Sequence, residues 1–333
     1  MDTPSPPPPR ALWTLTRLVF FGAGLAAVLA MLPDTPWWMG LFDHFRLHIG
    51  FGFILAGFFA LLCRKWPAAV IGAMLAAAHL LALGHQGGGP EAQGHGPTLK
   101  IMSFNVLGSN TALDDLEAFV EAESPDIIVL LEVRPHLATR LRRWPGYSVQ
   151  ALRPREDNFG VALLSKWPMV PSETRPLGGI YDSVIGATDL GGRPLVVIGA
   201  HPPPPVSGPV TETRDRTIDA IAGFIEGDIK GFLGAMAPQG ITPHVVVVGD
   251  LNATPWSQPV QKLMTSAGLW DSRRGFGYHA TWPAKLGPLG IPIDHALVSG
   301  DLAVLERRVG PALGSDHRPV LLTVTPAVEQ PSL

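Results

Sequence analysis

Polar residues recur at the ends of short apolar runs in this sequence. Asn105 follows residues 101–104, Glu132 follows 127–131, His201 follows 196–200, and Asp250 with Asn252 follows 245–249. Asp294 follows 291–293, and the pair Asp316 and His317 completes the set. Side chains at the ends of buried strands converge on a shared cleft. There, carboxylates and amides can hold a cation, while a carboxylate or imidazole takes a proton from water and a second group donates one to a departing alkoxide. Oxygen donors without a Cys/His cluster suit a hard ion such as Mg²⁺ or Mn²⁺ rather than Zn²⁺. Any one of these residues alone also fits a strand cap or the start of a turn. Their joint placement is what argues for chemistry.

The elements that must position them alternate between two periods. Residues 99–106, 127–132, 161–164, 195–200 and 245–249 are short runs rich in Val and Ile, the pattern of strands buried on both faces. Residues 113–123, 217–225 and 259–267 carry the helix-like segments, and Pro202 to Pro205 form a stiff loop that neither a helix nor a central strand accepts. From Pro97 onward there are 237 residues, enough for one large core. They carry 20 Lys and Arg against 24 Asp and Glu, which argues against an electrostatic trap for a polyanion. The single cysteine, Cys63, lies upstream, so this part forms no internal disulfide.

A mean hydropathy of +0.22 over 333 residues requires a concentrated apolar segment. Residues 1–84 supply it and read as a membrane anchor of about three transmembrane helices, at 12–32, 41–63 and 67–83. The first stretch, following Arg10 and Arg17, also fits a signal peptide, but two more stretches follow at once. Pro33, Asp34, Pro36, Trp37 and Trp38 read as an interfacial turn with an aromatic anchor. Arg10, Arg17, Arg64 and Lys65 mark cytoplasmic flanks and place the C-terminal part outside the cytoplasm. The expected location is a multi-pass protein of the plasma or inner membrane, with that part periplasmic in a Gram-negative cell. Residues 85–97 form a Gly-rich linker, in which His85 and His95 read as solvated rather than as ligands. Residues 98–325 form the globular domain and 326–333 a tail.

Several of these segments resemble the motifs of the endonuclease/exonuclease/phosphatase superfamily, in its order. They are Ser103-Phe104-Asn105, Leu131-Glu132-Val133, Asn158 through Ser165, Gly249-Asp250-Leu251-Asn252, Ile293-Asp294-His295, and Ser315-Asp316-His317-Arg318-Pro319-Val320. The resemblance implies a four-layer α/β sandwich with two central mixed β-sheets and a divalent metal, Mg²⁺ or Mn²⁺, in the cleft. It implies that Glu132 is the main metal ligand, with Asn105 and Asp316 completing the site. Asp250 would orient or deprotonate water, Asn252 would donate to a phosphate oxygen, Asp294 would orient His317, and His317 would bind phosphate or act as base. His201 would be the acid on the leaving-group side, with a plain strand-end histidine as the alternative.

Leu107 stands where repair-type members carry a second acidic ligand, which argues against a second metal through that position. Arg214 and Arg216 read as solvated residues of a helix start, with substrate contact as the alternative. The implied partners are a phosphodiester substrate, either nucleic acid or phospholipid, and the bilayer; no protein partner is implied. A degenerate, membrane-tethered phosphate-binding module is the rival to a metal-dependent phosphodiesterase.

Overall fold

Strands without a polar face need cover on both sides, and amphipathic helices placed between them provide it. The computed structural model of the chain describes residues 10–29, 32, 36–62, 64–84, 94, 96–236 and 240–328. Two compact units result, Met1–His85 and Gln86–Leu333. Pro33, Asp34, Cys63, most of the linker including His85 and His95, and residues 329–333 of the tail lie outside the described residues.

The first unit holds α1 (Arg10–Leu29), α2 (Trp37–Asp43), α3 (Arg46–Leu62) and α4 (Trp66–Gly84). The expected three crossings do not follow from them. In α1 the apolar part is confined to Phe20–Leu29 because Arg10, Thr14 and Arg17 occupy its first half. Ten helical residues reach about 15 Å, half of a hydrocarbon core. The α2 and α3 helices are long and apolar enough only when taken together, and they are bent by 68°. A buried Asp43–Arg46 ion pair of 2.7 Å stands at the bend. Among the described residues only Trp66–Leu83 passes alone, so the count is one span, or two if the bent pair is one span.

The second unit begins with β1 (Leu99–Asn105), α5 (Leu113–Glu123), β2 (Ile127–Leu131), α6 (Pro135–Leu141), β3 (Ser148–Arg153) and β4 (Val161–Ser165). Next come β5 (Ser172–Arg175), β6 (Ser183–Asp189), β7 (Pro194–Gly199), α7 (Gly208–Gly223), α8 (Ile229–Leu233) and β8 (His244–Asp250). It ends with α9 (Gln258–Ser266), β9 (Leu269–Asp271), β10 (Asp294–Ser299), β11 (Leu302–Val309) and β12 (Val320–Pro326). These strands form two six-stranded mixed sheets, ordered β11-β12-β1-β2-β4-β3 and β5-β6-β7-β8-β10-β9. Each has one parallel pair, β1 with β2 and β7 with β8, and antiparallel strands outside it.

Ile101, Val129, Leu163, Val197, Val246 and Val298 fill the space between the sheets. The outer face of the first sheet packs Phe104 and Leu130 on Leu116, Val120 and Leu137 of α5 and α6. The outer face of the second packs Ile198 and Val247 on Ile218, Ile221 and Leu263 of α7 and α9. The result is an α/β sandwich of four layers.

This topology gathers the polar strand ends. The parallel pairs end at Asn105 and Leu131 in one sheet and at Gly199 and Asp250 in the other. Their antiparallel neighbours begin at the same edge, since Asp294 pairs with Asp250, Val161 with Leu131, and Val320 with Ser103. Gly249 makes the close approach possible, with φ of 134° and space for a Cβ only 2.1 Å from the Ala200 carbonyl oxygen. That oxygen belongs to backbone and cannot swing aside. Gly249→Ala should therefore cost about 3 kcal/mol or more. Thermal unfolding of the detergent-solubilised chain should show a fall in Tm of roughly 6–12 °C; an unchanged Tm would contradict this junction.

Candidate active site

Glu132 leaves β2 with φ of 59°, a left-handed turn that non-glycine residues avoid. The turn brings its buried carboxylate to two N–H groups, Asn105 Nδ2 at 3.1 Å and the Gly108 backbone at 2.9 Å. Both donors are neutral. No cation pairs with Glu132 among the described residues, although it is only 7% exposed. Buried carboxylates in this state call for a positive ion.

Asn105 bridges the sheets. Its Nδ2 donates to Glu132 of the first sheet and, at 3.2 Å, to Asp250 Oδ2 of the second, while Oδ1 accepts the Leu107 N–H at 3.2 Å. The amide thus presents its nitrogen, not its oxygen, to the two carboxylates. Asp250 Oδ1 accepts the Asn252 N–H at 2.9 Å, and Oδ2 lies 3.5 Å from His201 Nε2 and 3.6 Å from His317 Nε2. Burial alone would push the Asp250 carboxyl up. The His317 charge, the His201 contact and the Asn252 N–H outweigh it and hold the group at about 2.

His317 is fixed from behind. Its Nδ1 pairs with Asp294 Oδ2 at 2.9 Å, and its backbone N–H donates to Ser315 Oγ, which itself donates to the Asn105 carbonyl. Burial would strip the imidazole of its proton, but Asp294 and Asp250, with Asp316 contributing, lift it to about 10. The pair is an imidazolium between carboxylates. Donor atoms of Asp250, Asp294 and His317 lie within 4.8 Å of one another, a spacing that also suits a metal ion. An ion there would have to displace the His317 proton, whereas at Glu132 it would meet an unmatched charge. Carboxylate oxygens such as those of Glu132, Asp250 and Asp316 suit a divalent hard cation.

The remaining expected residues fall around this centre. Asn252, with φ of 49°, donates Nδ2 to the Pro202 carbonyl at 3.0 Å and so ties the Gly249–Asn252 turn to the proline loop. His201 is 6% exposed, packs against Phe159 with ring centres 5.5 Å apart, and leaves Nδ1 without a hydrogen-bond partner. Asp316 is exposed and accepts the Trp282 indole N–H at 3.0 Å. Arg214 is buried, unlike a solvated helix start, and donates to the Asn252 carbonyl at 3.2 Å, while Arg216 is exposed.

Two supporting residues escaped the sequence reading. Trp282 holds Asp316 and lies beside the His317 ring, with centres 6.4 Å apart. Thr281 Oγ1 accepts the backbone N–H groups of Ile293 and Asp294 at 3.3 and 3.2 Å, fixing the start of β10. Both sit in an irregular loop that carries no periodic signal; only the Trp beside Pro283 marks it.

Solved structures share the fold. An endonuclease/exonuclease/phosphatase family protein from Bacteroides thetaiotaomicron is 14% identical with a TM-score of 0.54, covering 72% of this chain and 99% of its own. The AP endonuclease LMAP from Leishmania major is 16% identical with a TM-score of 0.55, covering 68% and 88%. TDP2 from D. rerio, solved with a single-strand DNA product, is 17% identical with a TM-score of 0.53, covering 68% and 99%. No curated protein matches the chain in sequence. Residues 102–317 match the family described as Endonuclease/Exonuclease/phosphatase. That match spans more than half of the sequence and takes in every one of the polar strand ends above, and the chain belongs to this family.

Proposed function

We propose that the chain is a divalent-metal-dependent phosphodiester hydrolase, held at a membrane by its N-terminal helices, with nucleic acid or phospholipid as the substrate class. The observation that carries the reading is the buried Glu132 carboxylate without a cationic partner among the described residues, beside an imidazolium held between Asp294 and Asp250. A divalent cation at Glu132, Mg²⁺ or Mn²⁺, would offset the negative charge that gathers on the phosphoryl oxygens. Asn105 stands beside that carboxylate, and in this reading Asp316 completes the site.

In the reaction the oxygen of water bonds to phosphorus, the ester P–O bond breaks, and the alkoxide takes a proton. Asp250 orients the water through its carboxylate and takes the proton that the water loses, passing it on to solvent. His317 donates Nε2–H to a phosphoryl oxygen, a role suited to an imidazolium rather than to a base. Asn252 keeps one amide hydrogen for a second phosphoryl oxygen, and His201 faces the leaving group as proton donor.

Glu132→Ala should weaken Mg²⁺ binding at least tenfold in calorimetry and regain part of its turnover of bis-p-nitrophenyl phosphate when Mg²⁺ is raised. Its loss is one of mass action. His317→Ala should bind Mg²⁺ nearly as well yet lose on the order of 10² or more in kcat, the scale of a positioned proton-transfer or charge-stabilising group. If raised Mg²⁺ restored His317→Ala and left Glu132→Ala inactive, the two roles would be exchanged. Absence of metal-dependent release from plasmid DNA, phospholipid and this ester alike would sink the hydrolase reading in favour of a binding module.

The raised pKa of His317 has a thermodynamic sign. Its stabilisation of the metal-free chain is fully present below about pH 6.5 and is lost as pH rises through about 10. In metal-free protein, Tm should fall across that window. Asp294→Asn should move the fall to lower pH, and a variant profile identical to wild type would refute the Asp294–His317 coupling.

The membrane reading is supported by large apolar side chains that α3 and α4 leave exposed, among them Leu55, Phe58, Leu62, Met74 and Leu81. Arg64 and Lys65 stand at the start of the Trp66–Leu83 span, so the globular unit lies outside the cytoplasm. Protease added to spheroplasts should remove that unit and leave cytoplasmic markers intact. Complete protection would reverse the orientation.

A further inference from the structure

We propose that Arg134 takes a second phosphate of the substrate, beside the one that is cleaved; the proposal rests on the hydrolase reading and gives it a specificity determinant. Arg134 stands two residues after Glu132, ahead of α6. Its side chain passes directly over Gly108, where an added Cβ would lie 2.5 Å from Arg134 Nε and 3.3 Å from Cζ. Gly108 is the residue whose N–H holds Glu132 Oε2. The guanidinium is thereby seated against the turn that carries the expected metal ligand.

Arg134 Nε is buried without a hydrogen-bond partner, and the side chain makes no ion pair among the described residues. The sealed Nε has lost the water it would otherwise bind, while the side chain as a whole is only half-buried. Neither Glu132 nor Asp157 forms an ion pair with it among the described residues, and both are engaged elsewhere. Glu132 accepts from Asn105 and Gly108. Asp157, which feels the Arg134 charge, is gripped by Arg155 Nε and Nη2 at 2.7 and 2.6 Å. Arg134 is left without an ion-pair partner among the described residues, beside the turn that carries Glu132.

The ligand chemistry follows from the group. A guanidinium offers a planar fork that matches two phosphate oxygens, and its charge cannot be titrated away. Glu132 marks the place of the scissile group and Arg134 is displaced from it along the chain, so the fork is free for a neighbouring anion. A monoanionic diester would leave it unused. A substrate bearing one more phosphate would fill it.

The test compares esters that differ only in that phosphate. Full-length protein in detergent with Mg²⁺ is assayed on the p-nitrophenyl ester of thymidine 5′-phosphate with and without a 3′-phosphate. A second pair, phosphatidylinositol and phosphatidylinositol 4-phosphate in vesicles, distinguishes a nucleotide from a lipid source. Wild type should prefer the doubly phosphorylated member of one pair by about tenfold in kcat/KM, the scale of a charge-assisted hydrogen bond. Arg134→Ala should erase that preference, and Arg134→Lys should keep part of it. Calorimetric affinity for thymidine 3′,5′-bisphosphate should fall with the nucleotide preference. A wild-type preference in neither pair, or one that survives Arg134→Ala, overturns the proposal. If wild type hydrolyses none of the four and no plasmid DNA either, the hydrolase reading fails; with none of the four hydrolysed, the titration alone decides Arg134, and an affinity unchanged in Arg134→Ala overturns its role.

Discussion

Two carboxylates from different sheets meet at one amide nitrogen. Glu132 and Asp250 lie 3.1 and 3.2 Å from Asn105 Nδ2, in a region almost closed to water. Like charges so placed repel, and burial removes the solvent that would screen them. They persist only because donors converge from all sides: the Gly108 and Asn252 N–H groups, the two hydrogens of Asn105, and the His317 charge. Asp250 is matched by this arrangement while Glu132 meets no cation among the described residues, and that difference is why the proposed ion is assigned to Glu132.

The scaffold concentrates backbone strain at the same place. Glu132 and Asn252 both hold positive φ, and Gly249 adopts a conformation closed to other residues. Such strain persists where surrounding structure over-determines it. Here the determinants are Arg214 on the Asn252 carbonyl, Asn252 on Pro202, Thr281 on β10 and Ser315 between Asn105 and His317. Of these, Arg214, Thr281 and Ser315 need not touch a substrate. Each fixes the direction of a residue to which the proposed reaction gives a role.

The apolar helices follow a different logic. Average hydropathy places them correctly but does not distinguish a spanning helix from an amphipathic or broken one. The basic residues in the first half of α1 shorten its apolar length, and the buried Asp43–Arg46 pair lets the chain bend between α2 and α3. Both are local events inside stretches that average as uniformly apolar.

Much of the globular unit was legible in its residues. Apolar Val and Ile runs determine strands covered on both faces, and the polar residue ending each run identifies one edge as chemical, because burial tolerates a polar side chain only where the strand stops. Glu132, Asp250, Asp294 and His317 were legible in this way. The protonation of His317, the donor role of Asn105, the burial of Arg214 and the anchoring of Asp316 by Trp282 were decided only by the tertiary structure. Each depends on groups far apart in the chain, and separations such as that between Asn105 and Asp250 carry no local periodicity. Charge, hydrogen-bond direction and exposure are properties of the assembled neighbourhood, and only folding brings that neighbourhood together.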